Sequence, residues 1–426
     1  MGKEFRRAGK ALTLMAIATM APIAAQAAPS PEQVAEAALR AAPVWDGHND
    51  VPEQLRARRK NILAGFDFRD TTNTADPAKG WQTMHTDLTR LRKGHVGAQF
   101  WSVYVSASLD DPHAVQATLE QIDVAKRLIA SYPQDMQLAT SAADVEKAMK
   151  AGKIASLLGM EGGHSIGGSL GVLRQMYALG ARYMTLTHFK NTAWADSATD
   201  KPEHDGLTDF GRDVVREMQR IGILVDLSHT SEATMRATLA VAKAPVMFSH
   251  SNARAINHHS RNVSDPVLKA VAANGGIVMV NIFPTYVVEE TRQWLAARAG
   301  EKARQDALNI GDPAAAEAAL KDWETAHPMP RGTIKDVADN IDHIIAVAGI
   351  DHVGLGGDFD GVETTVVGME DVSTYPALFA ELARRGHSQA DLEKISSGNM
   401  LRVMKAAEAY AAAHRGDPPI ESPTTF

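Results

Sequence analysis

Histidine and carboxylate side chains stand at the ends of short apolar segments along the whole chain. They are His48, Asp50, Glu161, His188, His229, His250 and Asp358. A buried charge is costly unless it is paired or coordinated, so these residue types are unexpected at the ends of apolar segments that lack a function. Neutral imidazole and carboxylate groups, without thiolate, suit Zn²⁺, Mn²⁺ or Co²⁺. The pattern therefore predicts a site for divalent metal ions.

Five of these residues are more ligands than one tetrahedral zinc ion accepts. The five are His48, Asp50, Glu161, His229 and His250. They suffice for two ions if Glu161 bridges them. Two ions roughly 3.5–4 Å apart can share and acidify one water, which gives a bridging hydroxide nucleophile near neutral pH. Asp358 could take the proton from that water and pass it to a leaving amine.

Each of these signals also has a simpler structural interpretation. His48 and Asp50 form an isolated His-x-Asp pair, which is a weak motif. Glu161 could be a structural carboxylate that accepts hydrogen bonds from backbone N–H groups, and His229 and His250 could end strands that face solvent. The metal interpretation is favoured because all five residues stand at matching ends of successive segments, where barrel enzymes place their active sites.

Eight apolar segments are predicted to be β-strands, and amphipathic helical segments separate them. The predicted strands are Val44–Asp50, Val96–Val105, Ile154–Glu161, Arg182–His188, Ile223–His229, Pro245–His250, Gly276–Phe283 and His352–Asp358. Strands that alternate with helices pair in parallel, and eight such units close a (β/α)₈ TIM barrel, an α/β fold. A doubly wound open sheet is the alternative, but no glycine-rich phosphate loop follows the first strand.

The predicted barrel domain covers residues 28–413 and contains a long helical insertion at about 287–331. The insertion is rich in Ala, Glu, Arg and Gln, and it is either a lid or a surface elaboration. Residues 414–426, with three prolines, are expected to form a flexible C-terminal tail.

Residues 1–27 have the composition of a secretory signal peptide. Four basic residues precede the apolar run 11–25, and Ala25-Gln26-Ala27 is typical of a cleavage site. Pro22 interrupts the run, and the run is shorter than the roughly 20 apolar residues of a membrane span, so an uncleaved anchor is the less favoured alternative. The prediction is a periplasmic or secreted protein without a stable membrane anchor after cleavage.

Charge and cysteine content narrow the functional classes. The net charge of −7 becomes −10 when the four basic residues and one acidic residue of segment 1–27 are removed. An acidic surface argues against nucleic acid as a partner. The chain has no cysteine, which excludes disulfides and a thiol nucleophile and fits a bacterial periplasm.

Several motifs together resemble the membrane (renal) dipeptidases and their bacterial relatives. They are 45–50 (WDGHND), 159–164 (GMEGGH), 186–188 (LTH), 226–229 (DLSH), 248–251 (FSHS), 260–263 (SRNV), 356–361 (GGDFDG) and 398–402 (GNMLR). They follow the family order over most of the chain. The resemblance implies a zinc-dependent dipeptidase with a TIM barrel of the metal-dependent amidohydrolase type.

The same resemblance implies two Zn²⁺ ions per chain and a role for each ligand. His48 and Asp50 match the residues that bind one ion, and His229 and His250 match those that bind the other. Glu161 matches the bridging glutamate.

It also implies the residues that act on the substrate. His188 would polarise the scissile carbonyl, and Arg261 would hold the substrate carboxylate. Asp358 matches the residue that shuttles the proton and contacts the substrate amine, although Asp360 stands two residues further on and is the alternative. The substrates implied are small dipeptides, with tolerance of a D-residue at the C-terminal position, and a homodimer is implied as the assembly.

Two other functions stay open at this point. A metal-dependent amidohydrolase that acts on N-acyl amino acids or lactones would use the same barrel and metals. A non-catalytic periplasmic binding protein with a structural metal would keep the ligands without turnover.

Overall fold

The structure is a computed structural model that describes residues 1–4, 9, 28–421 and 423. The predicted signal peptide, residues 1–27, lies outside the described residues apart from 1–4 and 9. Part of the predicted C-terminal tail, at 422 and 424–426, also lies outside them. Within the described part of the chain, no helix has the length and apolar character needed to cross a membrane.

In the described part of the chain, nine parallel strands form one sheet that closes into a barrel. They are β1 Val44–Asn49, β2 Val96–Tyr104, β3 Met136–Leu138, β4 Ile154–Glu161, β5 Ala181–Thr185, β6 Leu224–Asp226, β7 Met247–Phe248, β8 Ile277–Val280 and β9 Val353–Leu355. The pairing order is β2-β1-β9-β8-β7-β6-β5-β4, and β4 pairs with β2 to close the ring. The short β3, which the sequence did not predict, pairs with the start of β4. The predicted eight-stranded (β/α)₈ barrel is confirmed.

Helices occupy the connections between the strands and flank the chain ends. They are α1 Pro31–Ala41, α2 Val51–Arg59, α3 Leu88–Lys93, α4 Asp111–Ser131, α5 Ala142–Lys150, α6 Leu170–Ala178, α7 Asp209–Ile221, α8 Glu232–Val241, α9 Asp265–Asn274, α10 Pro284–Val287, α11 Glu289–Leu308, α12 Pro313–Ala326, α13 Ile334–Ala348, α14 Tyr375–Arg384, α15 Gln389–Glu393 and α16 Asn399–Ala413. Several begin at a side-chain cap, as α8 does where the Ser231 hydroxyl accepts from the Thr234 N–H. The region 287–331 contains α11 and α12, which pack against each other through Trp294 and Trp323.

Aromatic side chains from strands that are not neighbours meet inside the barrel. The Tyr183 ring on β5 lies 4.9 Å from the Phe100 ring on β2, and Phe100 stacks on Trp45 of β1. Met279 of β8 and Met400 of α16 belong to the same buried cluster. Because β4 separates β5 from β2 in the closed sheet, Tyr183 and Phe100 can meet only if both side chains point inward, so the barrel is filled by a packed core below the active-site end.

Most strands on one half of the barrel end earlier than the sequence predicts. They stop at Thr185, Asp226, Phe248, Val280 and Leu355 rather than at His188, His229, His250, Phe283 and Asp358. Buried carboxylates accept hydrogen bonds from the backbone N–H groups that would otherwise extend the sheet. Asp226 Oδ1 accepts from Ser228 N at 3.0 Å and Ser249 N at 2.9 Å, and Asp46 Oδ1 accepts from Gly357 N at 2.9 Å. The predicted site residues on these strands therefore lie in the loops that follow them.

Candidate active site

A cavity of about 410 Å³ lies at the carboxyl ends of the barrel strands, a size suited to a small organic ligand. The predicted site residues that line it are Asp50, Glu161, His188, His229, His250, Arg261 and Asp358. His48 is fully buried beside them and contacts the same cluster. The structure thus brings all eight predicted residues to one place.

Glu161, the last residue of β4, stands between two groups of ligands. Its Oε2 lies 3.4 Å from His48 Nε2, which in turn lies 3.1 Å from Asp50 Oδ2. Its Oε1 faces the other group, at 3.0 Å from His229 Nε2 and 3.4 Å from His250 Nε2. Each oxygen of the Glu161 carboxylate therefore faces a different set of potential metal ligands. This geometry is suited to a carboxylate that bridges two metal ions.

Hydrogen bonds fix which ring nitrogen of two histidines faces the cluster. His48 Nδ1 is bonded to the Tyr183 hydroxyl at 2.8 Å, and His250 Nδ1 is bonded to the Ser249 hydroxyl at 2.8 Å. The Nε2 atoms are left to face Glu161 and its neighbours. Partners of this kind orient a histidine and raise its strength as a metal ligand.

Asp358 lies beside the first group of ligands. Its Oδ1 is 4.0 Å from His48 Nε2. His48, Asp50 and Asp358 form one of the three buried groups, among the described residues, whose potential ligand atoms converge within 4.8 Å. Its Oδ2 accepts a hydrogen bond from Asn281 Nδ2 at 2.7 Å. Asp360 is hydrogen-bonded outside the cluster, because its Oδ1 accepts a hydrogen bond from the His85 N–H at 2.8 Å. Asp358 is therefore better placed than Asp360 to exchange a proton at the cluster.

His188 and Arg261 flank the second group of ligands. His188 Nε2 lies 3.6 Å from Glu161 Oε1, and its buried Nδ1 has no hydrogen-bond partner among the described residues. The Arg261 guanidinium packs over the Tyr286 ring at 5.1 Å, and only 1% of the residue is exposed. Its contacts with Ser251 Oγ and the His250 carbonyl are both 3.5 Å long. A buried guanidinium with such weak partners is suited to bind an anion that enters the cavity.

The backbone at the site adopts uncommon conformations. His229, Asp358 and Asp360 have φ values of +68°, +60° and +67°, in the left-handed region that residues other than glycine seldom adopt. Gly361 has no room for a side chain, because a Cβ there would collide with the carboxylates of Asp50 and Asp358. Such conformations persist where the surrounding structure enforces them, which is common at functional sites.

Burial and neighbouring charges shift the pKa values of the cluster. Burial lowers the pKa of His188 to about 4 and holds those of His229 and His250 well below the ordinary value. These three imidazoles are therefore neutral at physiological pH, the form that binds a metal ion or donates one hydrogen bond. Burial raises the pKa of the Asp358 carboxyl to about 8, and Asp50 adds to the effect.

Opposite charge outweighs burial in setting the pKa values of Glu161 and His48. Burial alone would raise the pKa of Glu161, but the charge of His48 and the hydrogen bonds from His229 and His48 hold it well below its usual range. Burial likewise works against a charged His48, yet Tyr183, Glu161 and Asp50 raise its pKa well above the ordinary value. Glu161 is therefore an ionised carboxylate, as a bridging ligand must be.

The sequence did not reveal several residues that build the site. Tyr183 carried no signal, because a tyrosine in a strand is usually a core residue. Asn281 is a polar residue near the end of a predicted apolar strand and could have been found by the argument that identified His250. Glu53 and Tyr286 also line the cavity. They lie just after β1 and β8, where only the folded chain shows which side chains turn inward.

The parallel barrel with a buried His, Asp and Glu cluster at its carboxyl-end mouth defines a metal-dependent hydrolase of the (β/α)₈ class. Comparison with known proteins narrows this class. The family model described as membrane dipeptidase, peptidase family M19, matches residues 32–417. Dipeptidase 3 of Macaca fascicularis is 40% identical over 393 residues, which cover 91% of this chain and 70% of that protein.

Solved structures share the fold. The probable dipeptidase PvdM from Pseudomonas aeruginosa has a TM-score of 0.74 at 24% identity and covers 89% of this chain and 99% of its own. A metallopeptidase from Rhodobacter sphaeroides, solved with a phosphinate mimic of the dipeptide L-Ala-D-Ala, has a TM-score of 0.69 at 23% identity, with 86% and 99% of the two chains covered. The chain belongs to the membrane dipeptidase family, peptidase family M19, and is a metal-dependent dipeptidase that hydrolyses peptide bonds.

Proposed function

We propose that this chain is a binuclear zinc dipeptidase that hydrolyses dipeptides with free amino and carboxyl ends. The observation that carries the proposal is the position of Glu161, whose two oxygens face two separate groups of histidine and carboxylate ligands. One ion would be held by His48 and Asp50 and the other by His229 and His250, with Glu161 shared between them.

The donor set fits divalent metal ions. His48 Nε2 is buried and makes no hydrogen bond among the described residues, while its Nδ1 is occupied by Tyr183. The ligands are imidazoles and carboxylates, which suit Zn²⁺ and leave open Mn²⁺ or Co²⁺. When bound, two such ions supply an acidified water as the nucleophile and positive charge that favours the transition state.

Asp358 is the group that moves protons. Its carboxylate accepts a proton at Oδ1, the oxygen that faces the cluster, and later delivers it to the leaving amine. The hydrogen bond from Asn281 to Oδ2 holds the carboxylate in this orientation. The free ammonium group of a dipeptide also needs a negative partner, and the Asp358 carboxylate binds it.

His188 and Arg261 bind the rest of the substrate. The neutral His188 imidazole donates a hydrogen bond to the scissile carbonyl and stabilises the oxyanion that develops there. Arg261 binds the terminal carboxylate with its planar guanidinium. Recognition of both charged ends explains a restriction to dipeptides, because a longer peptide would place one end beyond its partner.

The stereochemistry, location and assembly are further parts of the proposal. The ligand in the Rhodobacter sphaeroides structure mimics L-Ala-D-Ala, which supports L-Xaa-D-Xaa dipeptides as substrates here. The composition of residues 1–27 supports export and cleavage, hence a periplasmic or secreted enzyme. Family resemblance supports a homodimer.

Hydrolysis of a defined peptide set by zinc-reconstituted enzyme tests the proposal. We expect chelator-sensitive cleavage of L-Ala-L-Ala and L-Ala-D-Ala, and no cleavage of tri-alanine or of N-acetyl-alanine. His250→Ala should abolish the activity. His343→Ala should not, because that residue lies on α13 and bonds to Asp265 away from the cavity.

Two results would contradict the proposal. Turnover of N-acetyl-alanine but not of dipeptides would make the enzyme an amidohydrolase of another substrate class. An unchanged dipeptide rate in metal-stripped His250→Ala would refute the metal mechanism.

A further inference from the structure

Three carboxylates of the cavity have no assigned task in the hydrolysis. They are Glu53, Asp360 and Glu363, and all three line the same cavity as the metal-facing residues. Glu53 lies in the first turn of α2 and is partly buried, and Glu363 lies in the exposed loop after β9. A hydrogen bond of 2.6 Å from Gln54 Nε2 to the Asp360 carbonyl holds α2 against this loop.

In the described part of the chain, Glu53 and Asp360 lack the cationic partner that a buried acid normally has, and the exposed Glu363 lacks one as well. Among the described residues, none of the three lies within ion-pair distance of a Lys, Arg or His. Arg56, the nearest basic residue in sequence to Glu53, pairs with Glu120 at 3.0 Å instead. Among the residues that the structure describes, the only hydrogen bond to the Glu53 carboxylate comes from Gln121 at 3.4 Å. Burial and the charge of Asp50 raise the pKa of Glu53 to about 7, and the charge of Arg56 offsets this only in part.

Asp360 provides an independent observation, a buried carboxylate oxygen without a partner among the described residues. The residue is 5% exposed, and its Oδ2 is buried without a hydrogen-bond partner among the described residues, although Oδ1 is bonded to the His85 N–H. A buried carboxylate oxygen without a donor is costly. A donor that enters the cavity would satisfy it.

The arrangement does not resemble a third metal site. Among the described residues, the groups whose ligand atoms converge within 4.8 Å contain Asp50, Glu161 and Asp358, but not Glu53, Asp360 or Glu363. The three carboxylates are therefore spread along a wall. Spread acidic groups suit a flexible organic cation with several donors rather than a compact ion.

The cavity is also polarised. Arg261, the only Lys or Arg among the described lining residues, lies against the His250 carbonyl. Glu53 lies on the helix that begins directly after Asp50, at the other group of ligands. If Arg261 binds the substrate carboxylate, the N-terminal residue of the dipeptide extends towards the acidic wall.

From this geometry we infer that Glu53, Asp360 and Glu363 form a specificity subsite for a basic side chain, so that the enzyme prefers dipeptides whose N-terminal residue is lysine-like or arginine-like. The inference rests on the proposed function, because it needs the substrate orientation set by Arg261 and Asp358. The preferred substrate would carry a second positive charge on its side chain, in addition to the terminal ammonium group that Asp358 binds.

The test compares lysyl-alanine with norleucyl-alanine, which has nearly the same shape without the charge. We expect the wild-type enzyme to show a kcat/KM about tenfold higher for lysyl-alanine, a preference that shrinks in high salt. Glu53→Gln should reduce the preference to within about twofold. Glu363→Gln, at an exposed position where folding is not at risk, should reduce it in part. The ratio is measured within one preparation, so loss of folded protein does not affect it.

Glu120→Gln is the matched control, because Glu120 is exposed and pairs with Arg56 outside the cavity. It should leave the preference as in the wild type. Equal kcat/KM for the two peptides in the wild type would overturn the inference while leaving the dipeptidase function intact. A preference that survives both Glu53→Gln and Glu363→Gln would overturn it as well. Failure of the zinc-loaded enzyme to cleave either peptide would instead contradict the proposed function.

Discussion

At the scale of single residues, the His48 ring is held from both sides. Tyr183 bonds to Nδ1 at 2.8 Å, and Asp50 and Glu161 face Nε2 at 3.1 Å and 3.4 Å. The tyrosine comes from β5 and the histidine from β1, so the contact crosses the barrel interior. Ligand geometry at this site therefore depends on the packing of the barrel core.

Tyr183→Phe tests this dependence. Removal of the hydroxyl should weaken zinc binding by roughly tenfold to hundredfold, because His48 loses the partner that orients it. The free energy of unfolding of the metal-free protein should change by only about 1 kcal/mol. Zinc affinity is measured by competition with a chelator, and Tyr177→Phe on α6 serves as the control. Equal zinc affinity in Tyr183→Phe and the wild type would show that the hydroxyl does not position the ligand.

Arg261→Met tests recognition of the substrate carboxylate. We expect kcat/KM for L-Ala-L-Ala to fall by about a hundredfold, since a charge-assisted bidentate contact contributes roughly 2–3 kcal/mol. Arg236→Met, at an exposed residue of α8 that pairs with Glu232, should keep the wild-type value. Hydrolysis of the dipeptide by Arg261→Met at the rate of the control would show that Arg261 does not bind the substrate carboxylate.

The sequence singled out the candidate ligand residues, which the structure brings together, because their types are unusual at the ends of apolar segments. His48, Glu161 and His250 could be found in this way. Glu53 could not, because a glutamate in the first turn of a helix is ordinary and its place in the cavity depends on how α2 packs. The choice between Asp358 and Asp360 also needed the structure, since the two differ in which neighbours hold them.

At the scale of elements, buried carboxylates join the barrel strands to the site loops. Asp46 accepts hydrogen bonds from the His48 N–H at 3.0 Å, the Gly357 N–H at 2.9 Å and the Tyr375 hydroxyl at 2.7 Å. It thus connects β1, the loop after β9 and α14. This bonding explains why the number and order of the strands could be predicted from hydrophobic pattern, whereas their ends could not.

Asp46→Asn should destabilise the fold by about 2–4 kcal/mol, because an amide cannot accept from all three donors and leaves buried groups unpaired. Tyr375→Phe removes only one of these bonds and should cost about 1 kcal/mol. Urea denaturation of the metal-free proteins measures the free energy of unfolding of both variants. If Asp46→Asn is no less stable than Tyr375→Phe, the carboxylate does not hold the strand ends together.

At the scale of the whole molecule, the cluster makes the stability of the metal-free protein depend on pH. Asp358 binds its proton up to about pH 8 in the folded chain, whereas an unfolded aspartate releases it near pH 4. Its contribution to stability therefore decreases as pH rises between these values. The raised pKa of His48 acts in the same direction above pH 6.5. The lowered pKa values of His188, His229 and His250 act in the opposite direction, but only below about pH 6.5.

Between about pH 6.5 and 8 the metal-free wild type should therefore lose thermal stability, and Asp358→Asn should lose less. Bound zinc should abolish the loss, because metal ions replace the protons of the cluster. Melting temperatures across this range, with and without zinc, measure the effect. A metal-free wild type that gains stability from pH 6.5 to 8 would contradict the assigned directions.

The proposed mechanism requires two metal ions that share Glu161, and a zinc titration of the stripped enzyme tests this requirement most directly. Bound zinc per chain and the rate of L-Ala-D-Ala hydrolysis are measured at each addition. We predict that zinc binding saturates at two ions per chain and that activity reaches its maximum only with the second ion. Glu161→Gln should bind zinc weakly and hydrolyse the dipeptide slowly. Full activity at one ion per chain, or two-ion binding and full activity in Glu161→Gln, would contradict the bridged site.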